Sequence, residues 1–188
     1  ALLKPKGMIL VTGPTSSGKT TLLAGALHYF PKDLTGRTIE DPVELKLHDI
    51  NENIIQMSQP KERWSEYLES ILRLAPKMIL LGETRNLKQA STLIEATMTG
   101  HITLSTLHTN SAPEAVDRII DVFPEAQQEQ VRVQLANNLQ AILTQQLLPR
   151  AEGRGRILAY EFLAATPAVR NLIREGKVHQ ITSQMQMG

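Results

Sequence analysis

The sequence predicts an α/β fold with a mainly parallel sheet, followed by a helical part at the C-terminus. Two continuous apolar runs, Met8–Val11 and Met78–Leu81, indicate buried strands of such a sheet. The stretch from Lys19 to Phe30 carries apolar residues at helical spacing, which predicts a helix soon after the first strand. A loop rich in glycine and small polar residues joins the two, so the chain opens with a strand–loop–helix unit.

The composition is that of an ordinary globular domain. The chain has 188 residues, of which 41% are apolar and 21% charged, enough for one α/β domain with a sizeable core. A net charge of +1 offers no general attraction to nucleic acid, and no apolar run approaches the roughly 20 residues that span a bilayer. We therefore expect no nucleic-acid partner and no direct membrane insertion. The absence of cysteine excludes disulfides and thiolate zinc sites.

The loop between the first strand and the first helix fits the pattern G-x-x-x-x-G-K-[ST] at every fixed position. Glycines let such a loop turn tightly, so that successive backbone N–H groups point at phosphate oxygens. The positive end of the following helix faces the same anion. We expect Lys19 to reach the β- and γ-phosphates of ATP, and the Thr20 hydroxyl to hold Mg²⁺. The residues of this loop are Gly13, Pro14, Thr15, Ser16, Ser17, Gly18, Lys19 and Thr20.

Carboxylates follow two of the predicted strands. The segment Glu40–Glu44 holds three of them after the short strand Arg37–Ile39, which indicates either a site for Mg²⁺ or water, or a solvated acidic turn. Proteins with this type of loop end the neighbouring strand in an acid that serves Mg²⁺ or the attacking water. Because Gly82 precedes Glu83, we assign Glu83 to orienting and activating water. The alternative is a charge near a helix N-terminus.

Two histidines bracket the predicted strand 101–109. His108 stands at its C-terminal end, the edge at which α/β sheets place their ligands. A lone histidine in such a position is usually a hydrogen-bonded structural residue, and this alternative stays open for both. Zinc ligation by the pair is excluded, because the strand would hold His101 and His108 about 20 Å apart.

The remaining segments complete the predicted order of strands and helices. Trp64 and Tyr67 lie at helical spacing with apolar neighbours, so we interpret them as core residues rather than base-stacking residues. The arginines of the turn 150–156 are interpreted as a solvated loop, with a partner contact as the alternative. Strands are predicted at 54–57 and 157–162, the second antiparallel, and helices at 61–74, 87–99, 111–122, 125–148 (one long helix or two packed ones), 167–175 and 177–188.

These motifs, taken in order along the chain, resemble those of the ATPases of type II secretion and type IV pilus systems. The run 12–21 is similar to their Walker A motif and adds Thr21 to the candidate nucleotide contacts. The runs 38–44, 81–85 and 99–109 are similar to their Asp box, Walker B motif and His box. Near the C-terminus, Ala168–Glu175 is similar to a motif of the retraction branch of this family. The four-cysteine zinc element common in the assembly and secretion branches is absent.

The resemblance implies a role for each candidate residue. One carboxylate, Glu83, activates water, and His108 contacts the region of the γ-phosphate and reports its presence. A second carboxylate, that of Glu44, supports the metal and the water, while His101 has a more structural role. The implied catalytic residues are Glu83, Lys19, Glu44 and His108, the implied Mg²⁺ contacts are Thr20 and Glu44, and the further members of the motifs are His101 and Arg85.

The resemblance also implies an architecture and a function. It implies a RecA-like ATPase domain at 1–188, with a nucleotide-binding core at 1–162 and C-terminal helices at 163–188. Because only six residues precede Gly7, we expect a further N-terminal domain upstream. The family forms cytoplasmic homo-hexamers at the inner membrane, in which arginines from outside this domain complete the active site. ATP hydrolysis in such a hexamer would act on a membrane platform protein and so drive pilus retraction and twitching motility. The alternatives are an assembly or secretion ATPase and a slow, nucleotide-regulated binding module.

Overall fold

The computed structural model describes residues 6–186 and contains one mixed sheet of seven strands within that range. The expectation of a preceding domain concerns the start of the chain and lies outside the described residues. The strands in chain order are β1 (Gly7–Thr12), β2 (Gly36–Glu40), β3 (Ile54–Ser58), β4 (Met78–Leu81), β5 (Ile102–Leu107), β6 (Leu139–Pro149) and β7 (Arg156–Ala164).

The sheet has the strand order β3-β2-β4-β5-β1-β6-β7. Every neighbouring pair is parallel except β6 and β7, which form an antiparallel pair at one edge. The predicted mainly parallel sheet is therefore confirmed, as is the late antiparallel strand. Because parallel strands point the same way, the residues that follow β1, β2, β4 and β5 meet at one edge of the sheet.

The helices follow the predicted order with one exception, described below. Three of them begin as the sequence indicates, with the side chains of Asn86, Ser111 and Thr166 accepting a hydrogen bond from a backbone N–H of the first turn. Short 3₁₀ turns lie at Lys61–Arg63 and Val178–Gln180. The helices are α1 (Lys19–His28), α2 (Trp64–Arg73), α3 (Leu87–Met98), α4 (Ala112–Asp121), α5 (Glu125–Asn138), α6 (Pro167–Arg174) and α7 (Ile181–Gln186).

Apolar residues pack on both faces of the sheet. On one face, residues of α2 to α7 join strand residues such as Leu10 and Leu81 in one continuous cluster. On the other face, Leu23 and Leu27 of α1 pack in a smaller cluster that includes Val11. The side chain of Trp64 is fully buried in the larger cluster, and Tyr67 packs against it, so their interpretation as core residues is confirmed.

The prediction of a helical stretch over 125–148 is wrong in its second half. Helix α5 ends at Asn138, and Leu139 already has the extended backbone of a strand, with φ −61° and ψ 133°. From there β6 pairs with β1 on one side and with β7 on the other. Leucine and glutamine suit a helix by intrinsic propensity, but two neighbouring strands offer a complete set of backbone hydrogen bonds, and this tertiary pairing overrides the local preference.

The C-terminal helices belong to the same packed body as the sheet. Val169 and Ile173 of α6 and Ile181 of α7 are buried in the larger apolar cluster. The proposed division at residue 162 stays a prediction. Between residues 6 and 186, no helix has the length and apolar character needed to cross a membrane.

Candidate active site

The glycine-rich loop joins β1 to α1 at the carboxyl edge of the sheet. Gly13 and Gly18 have φ of 142° and 87°, and Ser16 has φ 60°, all in the region that side chains disfavour. A Cβ atom on Gly13 would lie 2.1 Å from the carbonyl oxygen of Gln145 in β6, so this position admits glycine alone. The neighbouring strand thus packs directly on the loop and keeps its backbone in this conformation.

The side chain of Lys19 is folded into the loop. Its ammonium donates hydrogen bonds of 2.9 Å to the carbonyl oxygens of Gly13 and Pro14. Burial lowers the pKa of Lys19, although the charges of Glu83 and Glu44 act in the opposite direction. The ammonium of Lys19 therefore lies in a largely desolvated part of the loop. Phosphate oxygens could replace the two carbonyl oxygens as its hydrogen-bond acceptors.

The acidic segment after β2 divides into structural and site-facing carboxylates. Glu40 is buried and accepts hydrogen bonds from Thr38 and from Gln56, so it holds the strands together. Glu44 instead accepts a hydrogen bond of 2.6 Å from the Thr20 hydroxyl in the first turn of α1. This pair of oxygens from two distant segments fits the preference of Mg²⁺ for hard oxygen ligands. The role of Glu44 at the metal stays a prediction.

Glu83 follows β4 and is surrounded by cationic side chains. Its Oε2 accepts a hydrogen bond of 3.1 Å from the ammonium of Lys61, and its Oε1 accepts one from Nε of Arg85. Burial raises the pKa of this carboxyl, but the hydrogen bonds from Arg85 and Lys61 outweigh it and hold the pKa below its usual value. Glu83 is therefore ionised at neutral pH, as a water-activating carboxylate must be.

The two histidines lie at opposite ends of β5, as predicted. Nε2 of His108 is 2.8 Å from Oε1 of Glu83. Burial lowers the pKa of His108, and the charge of Lys19 lowers it further, although Glu83 acts in the opposite direction. His101 lies at the other edge of the sheet, where its Nδ1 is 2.9 Å from the Thr99 hydroxyl and 3.2 Å from the carbonyl oxygen of Ala96. Its contacts are those of a structural residue.

Two residues of this region are not among the site residues predicted from the sequence. Gln145 is buried, and its side chain donates a hydrogen bond of 2.6 Å to the carbonyl oxygen of Ser17, tying β6 to the loop. Its own Oε1 and the Ser17 hydroxyl are buried and have no hydrogen-bond partner among residues 6–186. Sequence reasoning missed Gln145 because it fell in a segment predicted as helix. It missed Lys61 because nothing local separates it from other lysines at helix starts.

Most of these side chains, though not those of Gln145 and His101, line one cavity of about 600 Å³, a size typical of small-molecule sites. Loop residues 15–21 form one wall, the acidic segment another, and the ends of β4 and β5 the floor. The cations and carboxylates that the sequence assigned to the site therefore do come together, with His101 alone lying elsewhere. The ionisable residues that line the cavity are Lys19, Glu40, Asp41, Glu44, Lys61, Glu83, Arg85 and His108.

A family model described as type II/IV secretion system protein matches residues 1–187. The chain belongs to this family. The match confirms the resemblance drawn from the four motifs, and it extends over nearly the whole sequence.

Curated relatives within this family are similar along almost the entire chain. A twitching motility protein of Neisseria gonorrhoeae is 43% identical over 189 residues, which cover 98% of this chain and 50% of that protein. The type IV pilus retraction ATPase PilT of Pseudomonas aeruginosa is 42% identical over 189 residues, which cover 98% of this chain and 54% of that protein. The chain thus spans about half the length of these relatives.

A solved structure of the pilus retraction motor PilT with bound ADP has the same fold. It superposes with a TM-score of 0.88 at 42% identity, covering 99% of this chain and 55% of that one. The expected α/β fold of the secretion ATPases is therefore confirmed by both topology and superposition.

Proposed function

We propose that the chain is the ATP-hydrolysing motor part of a type IV pilus retraction ATPase. The observation that carries the proposal is the convergence of Lys19, Thr20, Glu44, Glu83 and His108 on one cavity beside the glycine-rich loop. A cation for phosphate, an oxygen pair for a metal and an ionised carboxylate are the groups that phosphoryl transfer to water requires.

The residues present fit ATP and Mg²⁺. The loop backbone and Lys19 would hold the phosphates, and the Thr20 and Glu44 oxygens, 2.6 Å apart, would hold the cation directly or through water. The buried Ser17 hydroxyl, which has no partner in the part of the chain that the structure describes, is a further polar atom that a ligand could satisfy. When bound, Mg²⁺ supplies neutralisation of the charge that develops on the phosphate oxygens.

Glu83 accepts a proton from the attacking water or orients it, and it is available for this because it is ionised at neutral pH. His108 contacts Glu83 on one side and lies on the cavity wall on the other. It is therefore placed to transmit the presence of a γ-phosphate to the carboxylate. Loss of that phosphate would release the contacts that it makes around His108, and such a local change can shift a whole element.

Retraction is favoured over assembly and secretion by the relatives and by the C-terminal motif. Both curated relatives named above are described by twitching or retraction. Within the motif 168–175, Arg170 donates a hydrogen bond of 2.8 Å to the carbonyl oxygen of Asn137, and Arg174 donates one of 2.9 Å to its side chain. The motif thus joins α6 to the junction of α5 and β6.

The assembly that we propose is a homo-hexamer at the cytoplasmic face of the inner membrane. In it, movement of this domain would act on a membrane platform protein of the pilus, and arginines from outside the domain would complete the charge stabilisation. These statements rest on the family, whose members named above are about twice as long as this chain.

The decisive experiment uses the Glu83→Gln variant in the cells from which the protein comes. If the protein retracts pili, the variant cells keep or accumulate surface pili in electron micrographs and lose twitching on agar. Cells without pili would identify an assembly ATPase, and cells that retain a secreted enzyme inside would identify a secretion ATPase. Normal pili, movement and secretion, together with negligible ATP turnover by the wild-type protein, would favour the nucleotide-regulated binding module.

A further inference from the structure

Lys61 lies closer to the proposed chemistry than its position in the sequence suggests. It belongs to the 3₁₀ turn ahead of α2, and its ammonium is 3.1 Å from Oε2 of Glu83, 22 residues away. Its side chain is 21% exposed, whereas that of Arg85, which also binds Glu83, is 60% exposed. Solvent screens an exposed charge more strongly, so the charge of Lys61 is the less screened of the two.

The turn that carries Lys61 is held at several points. The backbone N–H of Lys61 donates to the carboxylate of Asp41 over 3.3 Å, and the N–H of Arg63 closes the turn on the carbonyl oxygen of Pro60. The indole N–H of Trp64 donates to the carbonyl oxygen of Gln59, and the indole itself is buried. The base of the lysine side chain is thus fixed to the core and to the acidic segment.

The donors around Glu83 are divided unequally between its two oxygens. Oε1 accepts a hydrogen bond from Nε of Arg85 and faces Nε2 of His108. Among the described residues, Oε2 accepts a hydrogen bond only from Lys61. A carboxylate has about four acceptor positions, two on each oxygen. Oε2 is therefore the oxygen that keeps an open position for a water molecule, and Lys61 is the group that fixes its direction.

We propose that Lys61 is a positioning residue for Glu83, which holds Oε2 so that this oxygen receives the proton of the attacking water. The inference rests on the proposed function, because it needs Glu83 to act on water. Lys61 itself exchanges no proton in the step. It acts through the direction and the ionisation of the carboxylate.

The charged groups that face Glu83 come from four elements. Lys61 lies in the turn ahead of α2, Arg85 follows β4, His108 follows β5 and Lys19 begins α1. Burial raises the pKa of Glu83 and Lys61 lowers it, so the pKa of Glu83 rises when Lys61 is removed. A carboxylate that works in its ionised form loses activity as the pH falls through its pKa, and a raised pKa moves that loss to higher pH.

The test compares Lys61→Met, Lys61→Gln and Lys61→Arg in the full-length protein, with kcat and KM for ATP measured between about pH 4 and 9. We expect Lys61→Met to lower kcat roughly tenfold or more, the scale of one charge-assisted hydrogen bond, with KM changed less than about twofold. The acid limb of its kcat profile should move to higher pH. Lys61→Gln should share that shift because it lacks the charge, whereas Lys61→Arg should restore both the rate and the limb.

Lys88→Met is the matched control, because Lys88 donates to the backbone carbonyl of Glu62 and does not contact Glu83. It should leave kcat and the pH profile unchanged. Thermal unfolding, followed by circular dichroism, should show every variant folded at the assay temperature. If Lys61→Met unfolds, the test relies on Lys61→Gln instead, because its amide can still donate a hydrogen bond to Oε2 of Glu83.

Two results would overturn the inference. One is wild-type kcat and an unmoved acid limb in both Lys61→Met and Lys61→Gln. The other is a weakened affinity for ATP with an equal loss of rate at every pH, which would make Lys61 a phosphate ligand. Glu83→Gln is assayed in parallel to test the proposed function separately. If that variant hydrolyses ATP normally, the proposed function and the role of Lys61 both fail. If it is inactive, the Lys61 variants decide the role of Lys61 alone.

Discussion

Nε2 of His108 lies 2.8 Å from Oε1 of Glu83, although the two residues follow different strands. Strands β4 and β5 are parallel neighbours, so the residue after each one reaches the same edge of the sheet. The contact joins the carboxylate proposed to act on water to the histidine proposed to sense the γ-phosphate. Its two partners can be tested separately.

Replacement of Glu83 by glutamine should separate nucleotide binding from chemistry. The amide keeps the size of the side chain but cannot accept the proton of the attacking water. In the full-length protein we expect near-normal affinity for ATP and a turnover lowered by roughly 10²-fold or more, the usual scale for a general base. Steady-state ATPase assays with equilibrium binding of an ATP analogue measure both quantities.

The matched control for this variant is Glu66→Gln, which removes an exposed carboxylate that pairs with Arg63 on the surface. It should leave turnover unchanged. Wild-type turnover in Glu83→Gln would show that Glu44 or another carboxylate activates the water.

Replacement of Lys19 by alanine should abolish measurable ATP binding. The ammonium is the cation folded among the loop carbonyls, and its loss leaves the phosphates without a fixed positive charge there. Titration of a fluorescent ATP analogue into wild type, Lys19→Ala and the exposed Lys32→Ala control measures the effect. Equal affinities for the first two proteins would refute the assignment of the loop as the nucleotide site.

The two histidines should respond differently to replacement. His108→Ala should reduce ATP hydrolysis and leave the affinity for ADP unchanged, because ADP lacks the phosphate that the residue is proposed to sense. His101→Ala should instead lower the melting temperature by about 2–4 °C, since it loses hydrogen bonds worth about 1 kcal/mol, while the folded protein keeps its turnover. ATPase assays, ADP titration and thermal unfolding distinguish these outcomes. A His108→Ala variant that only loses thermal stability would make that histidine structural as well.

Because burial lowers the pKa of His108, its ring is neutral at physiological pH and gains a proton only in more acidic solution. A proton on the ring would change its contact with Glu83. If the neutral ring is the active form, hydrolysis by the wild-type protein should fall in a step of its own as the pH drops through this lowered pKa, in addition to the acid limb that belongs to Glu83. His108→Ala should lose that part of the pH dependence.

Two glycines near the site should have opposite effects when replaced by alanine. Gly25 lies inside α1 with ordinary helical backbone, and a Cβ atom added to it would have no neighbouring atom within 4 Å, so alanine there should stabilise the fold by about 0.5–1 kcal/mol. Gly13→Ala should destabilise it by about 2 kcal/mol or more and weaken ATP binding, because its Cβ would meet the carbonyl oxygen of Gln145 at φ 142°. Thermal unfolding gives both values, and a tolerated Gly13→Ala would contradict the packing of β6 on the loop.

Much of the site could be predicted because its parts are local. The β1–loop–α1 unit is one contiguous segment, and its glycine spacing specifies the backbone conformation that binds phosphate. Asn86, Ser111 and Thr166 each mark a helix start through a bond to a residue three positions on. The placement of Glu83 and His108 at one edge also followed, because it needs only the rule that parallel strands share a direction.

The tertiary structure alone decided the identity of β6 and the contacts that it makes. The segment 139–149 is rich in leucine and glutamine, which suit a helix as well as a strand, and it is a strand because β1 and β7 lie on either side of it. That choice brings Gln145 to Ser17 across 128 residues. The contact of Lys61 with Glu83 likewise depends on how α2 packs against the sheet. Spacing along a chain encodes backbone conformation within a few residues, whereas such pairs exist only once the strands have paired and the core has closed.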